Sequence, residues 1–492
     1  MAMRFSNLLA EARLDDVKSQ GDAEVIDVVA DSRRCRAGSC FVAVRGNAAD
    51  GHGFIKAAVA AGAAAVVCQD ASNVPPGVAT AVVPDTRLAA ARLAQAIHGW
   101  PARKLTCVAV TGTNGKSTVA HLVREILREA GFSPALLGTI SYETGKRTLA
   151  AFNTTPDPVI LAELMAEMVA GGRTHLVMEA SSHALDQHRT DGLDFRVAIF
   201  TNLTGDHLDY HGTMEAYGLA KRKLFAGLSQ GATAVINRDD PAGEIMASAS
   251  AGQVCWYGLS PAADLWATID RIDSGGTQFT IVSDQRRLAV RTGLIGRHNV
   301  YNCLAAAGAC WRGLGLELET VIRTLETVRN IPGRLQRVDG DAPFGVFVDY
   351  AHTDDALENV LTALRPVTAG RLIVVFGCGG DRDRTKRPRM ARVAERHADQ
   401  VIITSDNPRS EDPGAIIDEI RAGLTAAGAG KAVVEADRAA AIARAIEGAR
   451  AGDVVLIAGK GHENYQIIGS SRIHFDDVEV AADVIGRRGS AV

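Results

Sequence analysis

LTCVAVTGTNGKSTVAHLVREILREAG, Leu105 to Gly131, changes its hydrophobic period once, and that change decides the fold. Leu105 to Val110 reads as a strand, whereas Val119, Leu122, Val123, Ile126, Leu127 and Ala130 recur at helical spacing until Gly131 stops them. Between the two lies Gly112-Thr113-Asn114-Gly115-Lys116-Ser117. A strand, a glycine loop and a helix N-terminus carrying Lys and Ser form a physical recipe for holding phosphates. Backbone N–H groups and the helix dipole face the anion, Lys116 reaches the terminal phosphates, and the Ser117 hydroxyl can ligate Mg²⁺. The general pattern G-x-x-x-x-G-K-[ST] would place Gly at position 110, where this chain has Val110. The match is therefore to the narrower T-G-T-N-G-K-[ST].

Outward from this loop the chain divides into three blocks. At 492 residues it exceeds what one core serves and predicts about three domains. The first, residues 1–104, ends in the polar break HGWPARK (His98 to Lys104); the second spans 105–336; the third, 337–492, begins after IPGRLQR (Ile331 to Arg337). Hydrophobic content of 47% with 22% charged residues is that of a soluble globular protein, and 49 glycines predict many tight loops. A net charge of -4 gives no basic field for nucleic acid or a membrane surface, so an anionic substrate must meet local positive groups. Eight cysteines without C-x-x-C spacing read as reduced thiols of a cytoplasmic protein. The start MAMRFSNLLAEARLDD reads as no signal peptide, and the most apolar run, Ala57 to Cys68, falls short of the roughly 20 residues that span a bilayer.

In the third block each apolar run ends in a dense polar loop. Val346-Phe347-Val348 enters Asp349-Tyr350-Ala351-His352, and Leu372 to Phe376 enters Gly377-Cys378-Gly379-Gly380-Asp381-Arg382-Asp383. Val401 to Thr404 enters SDNPRSEDP (Ser405 to Pro413), and Val454 to Ala458 enters Gly459-Lys460-Gly461-His462-Glu463. Alternation with helical patterns at Ile416 to Leu424 and Ala439 to Ile446 predicts a parallel, doubly wound sheet. Loops at the carboxyl ends of such strands converge on one edge, where ligands bind.

The second block adds two stretches to the phosphate loop. His175 to Glu179 is a short strand ending in a carboxylate, and Thr201 to His211 follows the strand Val197 to Phe200. Mg²⁺ prefers oxygen ligands, which Ser117 and Glu179 supply; His207 would be an unusual addition, since a lone loop histidine is more often a surface or capping group. The helical H-E-x-x-H of zinc proteases is absent.

In order along the chain stand TGTNGKST, NTTPDP, MEASSHALDQHR, TNLTGDHLDYHG, YGLAKRKLF, GRHNVYN, DYAHTDDAL, GCGGDRDRTKRP, DNPR and GKGHE. Through these ten motifs the sequence resembles the Mur ligases of peptidoglycan synthesis, and among them those that add the third amino acid of the cell-wall precursor. The resemblance implies an α/β fold of three domains. These are an N-terminal UDP-binding domain, a central P-loop ATPase domain with a parallel sheet, and a C-terminal Rossmann-like domain that binds the amino acid. It implies that Ala30, Ser32, Asn47, Ala48 and Ala49 hold the UDP moiety, and that Asn153, Thr154, Thr155, Ser181, Gln187 and Arg189 hold the muramoyl-dipeptide. Gly112, Thr113, Asn114, Gly115, Lys116, Ser117 and Thr118 would bind the phosphates of ATP, His298 and Asn299 the adenine, and Arg334 and Asp349 would close over the nucleotide. Lys221 resembles the family's carbamylated lysine. An ordinary lysine is cationic at neutral pH and would repel Mg²⁺; a carbamate would be an anion able to join Glu179 and His207 at a second metal. The implied catalytic set is Lys116, Glu179, His207 and Lys221. ATP, Mg²⁺ and the CO₂-derived carbamate are the implied cofactors. Small-molecule substrates are the only expected partners, with no nucleic acid, no membrane insertion and a monomeric state.

The third block carries the choice of amino acid. Diaminopimelate differs from lysine by one carboxylate beside the far amine, so its site needs a cation and acceptors together. Arg409 offers a planar fork for that carboxylate, Asp406 and Asn407 can take the ammonium and fix the loop, and Pro408 stiffens the turn. In the family DNPR accompanies diaminopimelate, and Arg382, Gly459 and Glu463 complete the site by similarity. Alternatives stay open at this point. One is a sister ligase adding lysine or another amino acid, another a folylpolyglutamate synthetase-like enzyme, and a third a P-loop ATPase that switches partners without forming an amide.

Overall fold

The computed structural model describes residues 2–46, 49–284 and 286–489. They form two compact units: residues 1–266 with 301–322, and residues 267–300 with 323–492.

After a helix at Phe5–Ala12, the first unit has a sheet of strands β1 (Lys18–Gln20), β2 (Asp27–Val29), β3 (Ser39–Val42), β4 (Ala63–Cys68) and β5 (Ala79–Val82), ordered β1-β5-β4-β3-β2. All neighbours are parallel except β1 with β5. Helix α1 (Thr86–Ile97) follows, its N-terminus capped by the Asp85 carboxylate, which accepts from the Arg87 and Leu88 N–H groups. The central sheet is built from β6 (Thr106–Thr111), β7 (Pro134–Leu137), β8 (Ser141–Glu143), β9 (Thr148–Ala150), β10 (His175–Glu179), β11 (Phe195–Phe200), β12 (Thr233–Asn237), β13 (Gln253–Gly258) and the start of β14 (Leu265–Asp273). Its order is β9-β8-β7-β10-β6-β11-β12-β13-β14, parallel from β7 onward. Helices α2 (Lys116–Glu129), α3 (Pro158–Ala170), α4 (Ser182–Asp186) and α5 (Met214–Ala226) connect its strands. The two sheets belong to one unit because α1 and α3 share a core: Val159 and Ala162 pack with Leu93 and Ala94. Buried Gln95 accepts from the Ala102 N–H and meets Met165 Sδ at 3.6 Å, and Arg34 pairs with Glu163.

The second unit starts with the hairpin β15 (Gly276–Ser283) and β16 (Arg286–Thr292). The units therefore part at Trp266/Ala267 and again near residue 300 and residue 322, away from the 336/337 break read from the sequence. Local contacts account for this: the Arg291 N–H donates to Glu326, Arg337 donates to the Ser274 carbonyl, and a Cβ on Gly293 would meet Arg329. The main sheet contains β17 (Gln336–Arg337), β18 (Gly345–Asp349), β19 (Leu372–Phe376), β20 (Gln400–Ile403), β21 (Ala432–Val434) and β22 (Val454–Ala458), ordered β17-β18-β22-β19-β20-β21. It is parallel throughout except at β17. Alternate residues serve two cores: Leu372, Val374 and Phe376 meet Leu361, Met390 and Ile420, while Ile373 and Val375 meet Ile442, Ala445 and Val484. Helices on both faces make the predicted doubly wound arrangement, with α6 (Asp354–Leu364), α7 (Lys386–His397) and α8 (Pro413–Arg421) on one face and α9 (Arg438–Gly448) on the other. A final hairpin, β23 (Tyr465–Ile468) and β24 (Ser471–His474), precedes helix α10 (Asp477–Gly489). Among the described residues no helix is long and apolar enough to cross a membrane, and all eight cysteines are free thiols.

Candidate active site

In the first unit β6 delivers the glycine loop and α2 begins at Lys116, as the period change predicted. Gly112 has φ 148°, and a Cβ there would stand 1.8 Å from Thr201 Oγ1. Gly115 has φ 86°, and a Cβ there would meet Asn302 Oδ1 at 2.5 Å. Both positions require glycine. The loop is pinned from the end of β11: the Thr113 N–H donates to the Asn202 carbonyl, the Asn114 N–H to Asn202 Oδ1, and Thr201 Oγ1 to the Asn114 carbonyl. Lys116 Nζ folds back onto the carbonyls of Gly112 and Thr113 at 3.0 and 2.8 Å. Ser117 and Thr118 are buried on the first turn of α2.

Lys221, on α5, is buried, and its Nζ donates to the Gly112 carbonyl at 2.9 Å above the ring of Tyr217. Burial, with the nearby Lys116 charge adding to it, holds this amine well below the usual lysine range. Tyr217 in turn shares a hydrogen bond of 3.1 Å with Thr113 Oγ1. His207 has a left-handed backbone with φ 54°, and its ring meets those of His183 and Tyr217 edge-on. Partial burial lowers its imidazole, Asp206 opposes the shift, and Lys116 and Lys221 add to it. Glu179, at the end of β10 beside Val110, is buried; Oε1 accepts from the Thr139 N–H at 2.9 Å and Oε2 from the Thr139 hydroxyl at 3.0 Å.

The residues read as holding the dipeptide form one network with Glu179. Thr139 Oγ1 bonds Thr154 Oγ1 at 3.0 Å, and Thr155 Oγ1 donates to the Glu179 carbonyl and accepts from the Ser181 N–H. Arg189 donates to the Thr155 carbonyl and to Gln187 Oε1, and Tyr142 donates to the Asn153 carbonyl. Thr139 carries no motif signal in the sequence, and Tyr217 stands there only as the first residue of YGLAKRKLF, with no role of its own. Ala30 and Ser32 follow the carboxyl end of β2, and exposed Ala49 comes after that of β3, its parallel neighbour in the sheet. Asn47 and Ala48 lie outside the described residues.

The donor set in this unit fits a hard divalent cation. Glu179 and Ser117 supply oxygens, and a carbamate on Lys221 would supply another. Among the described residues no cluster of three or more His, Cys, Asp or Glu forms a metal site by itself.

The second unit brings the four polar loops of the third block to the carboxyl edge of its sheet. Asp349 is buried and accepts from the Leu335 and Ala351 N–H groups; burial raises its carboxyl, against the opposing Arg334 charge. The Arg334 guanidinium lies over the Tyr350 ring. His298 is exposed beside Gly296, and buried Asn299 donates to the Ile295 carbonyl. In DNPR, Arg409 is left-handed with φ 53°, and its backbone is bracketed by β23: its N–H donates to the Ile467 carbonyl and its carbonyl accepts from the Gly469 N–H. Its Nη1 donates to the Gly380 carbonyl at 2.8 Å, and among the described residues it makes no ion pair. Gly380 leaves room for the Pro408 carbonyl, which a Cβ would approach to 1.9 Å, and Gly379 lies between Arg409, Arg382 and the Asn407 carbonyl. Arg382 itself is exposed.

Asn407, expected to take the ammonium and to fix the loop, makes contacts of the second kind. Its Oδ1 accepts from the Ile467 N–H at 2.9 Å and Lys460 Nζ at 3.2 Å, and its Nδ2 donates to Glu463 Oε2 at 2.8 Å. Both ends of the amide are thus spent on holding the loops together. The acceptors that remain are Asp406, whose buried Oδ1 takes no hydrogen bond, and Glu463, whose carboxyl is raised above its ordinary value chiefly by burial. Gly459, with φ 116°, lets Asp406 Oδ2 approach to 3.2 Å of where a Cβ would stand.

Three family models match the chain: the Mur ligase family catalytic domain over residues 25–98, the Mur ligase middle domain over 110–310, and the Mur ligase glutamate ligase domain over 333–461. The chain belongs to the Mur ligase family. Within that family it is similar to UDP-N-acetylmuramoyl-L-alanyl-D-glutamate--2,6-diaminopimelate ligases. That of Geobacillus kaustophilus is 46% identical over 493 residues, covering 99% of this chain and 100% of the relative. That of Gloeobacter violaceus is 44% identical over 491 residues, covering 99% of each. A solved structure of a ligase of that name matches with TM-score 0.71 at 35% identity, over 99% of this chain and 100% of the other.

Proposed function

We propose that this chain is an ATP-dependent ligase that joins meso-2,6-diaminopimelate to the D-glutamyl side-chain carboxylate of UDP-N-acetylmuramoyl-L-alanyl-D-glutamate in the cytoplasm, as a monomer acting on small molecules alone. The observation that carries the substrate choice is the pairing, on one loop, of an Arg409 guanidinium that makes no ion pair among the described residues and an Asp406 Oδ1 that takes no hydrogen bond among them and has the Lys460 ammonium at 3.5 Å. A ligand end that presents a carboxylate beside an ammonium satisfies both. Lysine would leave Arg409 unmatched, and a site built on such pairing rejects the deficient ligand by about 10⁴ to 10⁵.

The chemistry follows from the first unit. The D-glutamyl carboxylate attacks the γ-phosphorus of ATP, ADP leaves, and an acyl phosphate forms. Lys116, once it swings away from the Gly112 and Thr113 carbonyls, and the loop and first-turn N–H groups not bound to Asn202 neutralise the charge that develops on the phosphoryl oxygens. The amine of diaminopimelate then attacks the acyl carbon, the C–O bond to phosphate breaks, and the amine proton is released. Asn153, Thr154, Thr155, Ser181, Gln187 and Arg189 hold the dipeptide, while Ala30, Ser32 and the segment 47–49 hold the UDP end. His298, Asn299, Arg334 and Asp349 serve the nucleotide. Ser117, Glu179, His207 and a carbamate on Lys221 would hold Mg²⁺, which would supply charge neutralisation of the phosphates. Lys221, whose amine burial holds below its ordinary range, supports a carbamate: the lone pair of its neutral form adds to CO₂ and a proton departs. Arg382, Gly459 and Glu463 join Asp406, Pro408 and Arg409 around the amino acid.

The deciding experiment is the mass of the product formed from the UDP-linked dipeptide, ATP and Mg²⁺ with either diaminopimelate or lysine. A product with diaminopimelate alone is expected; equal use of lysine would sink the substrate reading, and phosphate release without either amino acid would sink the ligase reading.

A further inference from the structure

Lys460 is a fully buried lysine at the centre of the amino-acid loops, and nothing so far assigns it a task. Its Nζ lies 3.2 Å from Asn407 Oδ1, 3.5 Å from Asp406 Oδ1 and 3.6 Å from Glu463 Oε2, with the Tyr465 ring 5.5 Å away. A buried ammonium persists only where acceptors and countercharge surround it, and all three acceptors here belong to the ligand end of the loops. The other buried cation nearby, Arg438, is already matched by Asp477 in a two-bond pair. Among the described residues Lys460 is therefore the cation that lies within 4 Å of both carboxylates.

Two consequences follow from that position. Lys460 sets the Asn407 amide: with Nζ and the Ile467 N–H both on Oδ1, Nδ2 must point at Glu463 Oε2, which fixes that carboxylate. Lys460 also sets the charge, since two carboxylates against one ammonium leave a single negative charge, which one ligand ammonium completes. Without it two buried carboxylates would face each other across the cluster, and one would retain a proton and cease to be an ammonium acceptor.

We infer that Lys460 is a positioning residue for amino-acid selection, holding Asp406 and Glu463 as a singly negative subsite for the far ammonium of the substrate. The inference rests on diaminopimelate being that substrate. The test is steady-state phosphate release by the wild type, Lys460→Met, Lys460→Gln and Lys460→Arg, varying diaminopimelate, ATP and the UDP-linked dipeptide in turn. Lys460→Met is expected to raise the KM for diaminopimelate about 10- to 100-fold while the KM for ATP and kcat stay within about threefold. Lys460→Arg, which keeps the charge, should recover part of the loss. If Lys460→Met does not fold, Lys460→Gln, which keeps hydrogen bonding without charge, should show the same selective rise. An unchanged diaminopimelate KM in a folded neutral variant overturns the inference, as does a uniform loss across all three substrates with a lowered melting temperature. A wild type indifferent to diaminopimelate would remove the substrate reading itself, a result distinct from either.

Discussion

Lys221 Nζ and the Gly112 carbonyl share a hydrogen bond of 2.9 Å, so a lysine of helix α5 is tied to the first glycine of the phosphate loop. The amine is buried beside a second lysine, Lys116, and both features favour its neutral form. A neutral amine is the nucleophile that CO₂ requires. The contact holds the Lys221 amine within one hydrogen bond of the loop that would hold ATP.

Removal of CO₂ should therefore silence the enzyme. In degassed, bicarbonate-free buffer activity is expected to fall about 10- to 100-fold and to return when bicarbonate is added, and Lys221→Met should be inactive under both conditions. The stability sign is also set. With its folded pKa lowered, unmodified Lys221 binds its proton more tightly in the unfolded chain, so stability rises with pH up to its ordinary 10.5. Lys221→Met should consequently melt no lower than the CO₂-stripped wild type at neutral pH. Full activity of Lys221→Met would refute the role.

Gly112→Ala tests the loop itself. The new Cβ would lie 1.8 Å from Thr201 Oγ1 and 3.1 Å from the Asn202 backbone, at a φ of 148° that side chains rarely adopt. Loss of about 1–3 kcal/mol of stability is expected, seen as an earlier denaturation midpoint, together with at least a tenfold rise in the KM for ATP. A folded variant with unchanged ATP dependence would show that the loop does not carry the phosphates.

Arg409→Ala addresses selection of the far carboxylate. Truncating one partner of a desolvated charge pair costs about 2–5 kcal/mol, or roughly 30- to 4000-fold in KM for diaminopimelate. ATP dependence should be nearly unchanged, because the loss falls on the DNPR loop, none of whose residues is assigned to the nucleotide. Discrimination against lysine should shrink in the same variant; if it persists in full, the fork is not the selector.

These sites differ in how far they could be read from sequence. The phosphate loop and the four loop-ending strands were legible because period changes and glycine positions are local properties of the chain. Thr139 was not, since its value lies in meeting Glu179 forty residues away with both its N–H and its hydroxyl. The division of labour within DNPR was also hidden. Asn407 and Asp406 look equivalent as acceptors in sequence, and only the arrival of Ile467 and Lys460 at Asn407 Oδ1 assigns one to scaffolding and leaves the other for a ligand.

Glu463 offers a test by pH. Burial raises its folded pKa above 4.5, so its contribution to stability is present below 4.5 and is lost as pH rises through the folded value. Glu463→Gln should therefore melt higher than the wild type at pH 8 and show no such gain below pH 4.5. The same variant should bind diaminopimelate poorly at every pH, whereas the wild-type KM should rise as the solution is acidified toward the folded pKa. A wild-type KM flat down to pH 4.5 would contradict Glu463 as an ionised acceptor.

Arg438 and Asp477 connect the last helix to the same loops. Both side chains are fully buried, and Arg438 Nε and Nη2 each meet an Asp477 oxygen at 2.7 Å. The guanidinium also donates to the Ala458 and Ser405 carbonyls, immediately before Gly459 and Asp406. Asp477→Ala strands a buried cation and should cost about 3–5 kcal/mol. Replacing both partners by apolar residues, Arg438→Met with Asp477→Leu, removes the stranded charge and should restore much of that stability. It cannot restore the two carbonyl contacts. The double variant is therefore expected to fold well, to keep its ATP dependence, and to retain a raised KM for diaminopimelate. If the double variant binds diaminopimelate like the wild type, the ion pair serves folding alone and the loops hold their geometry without it.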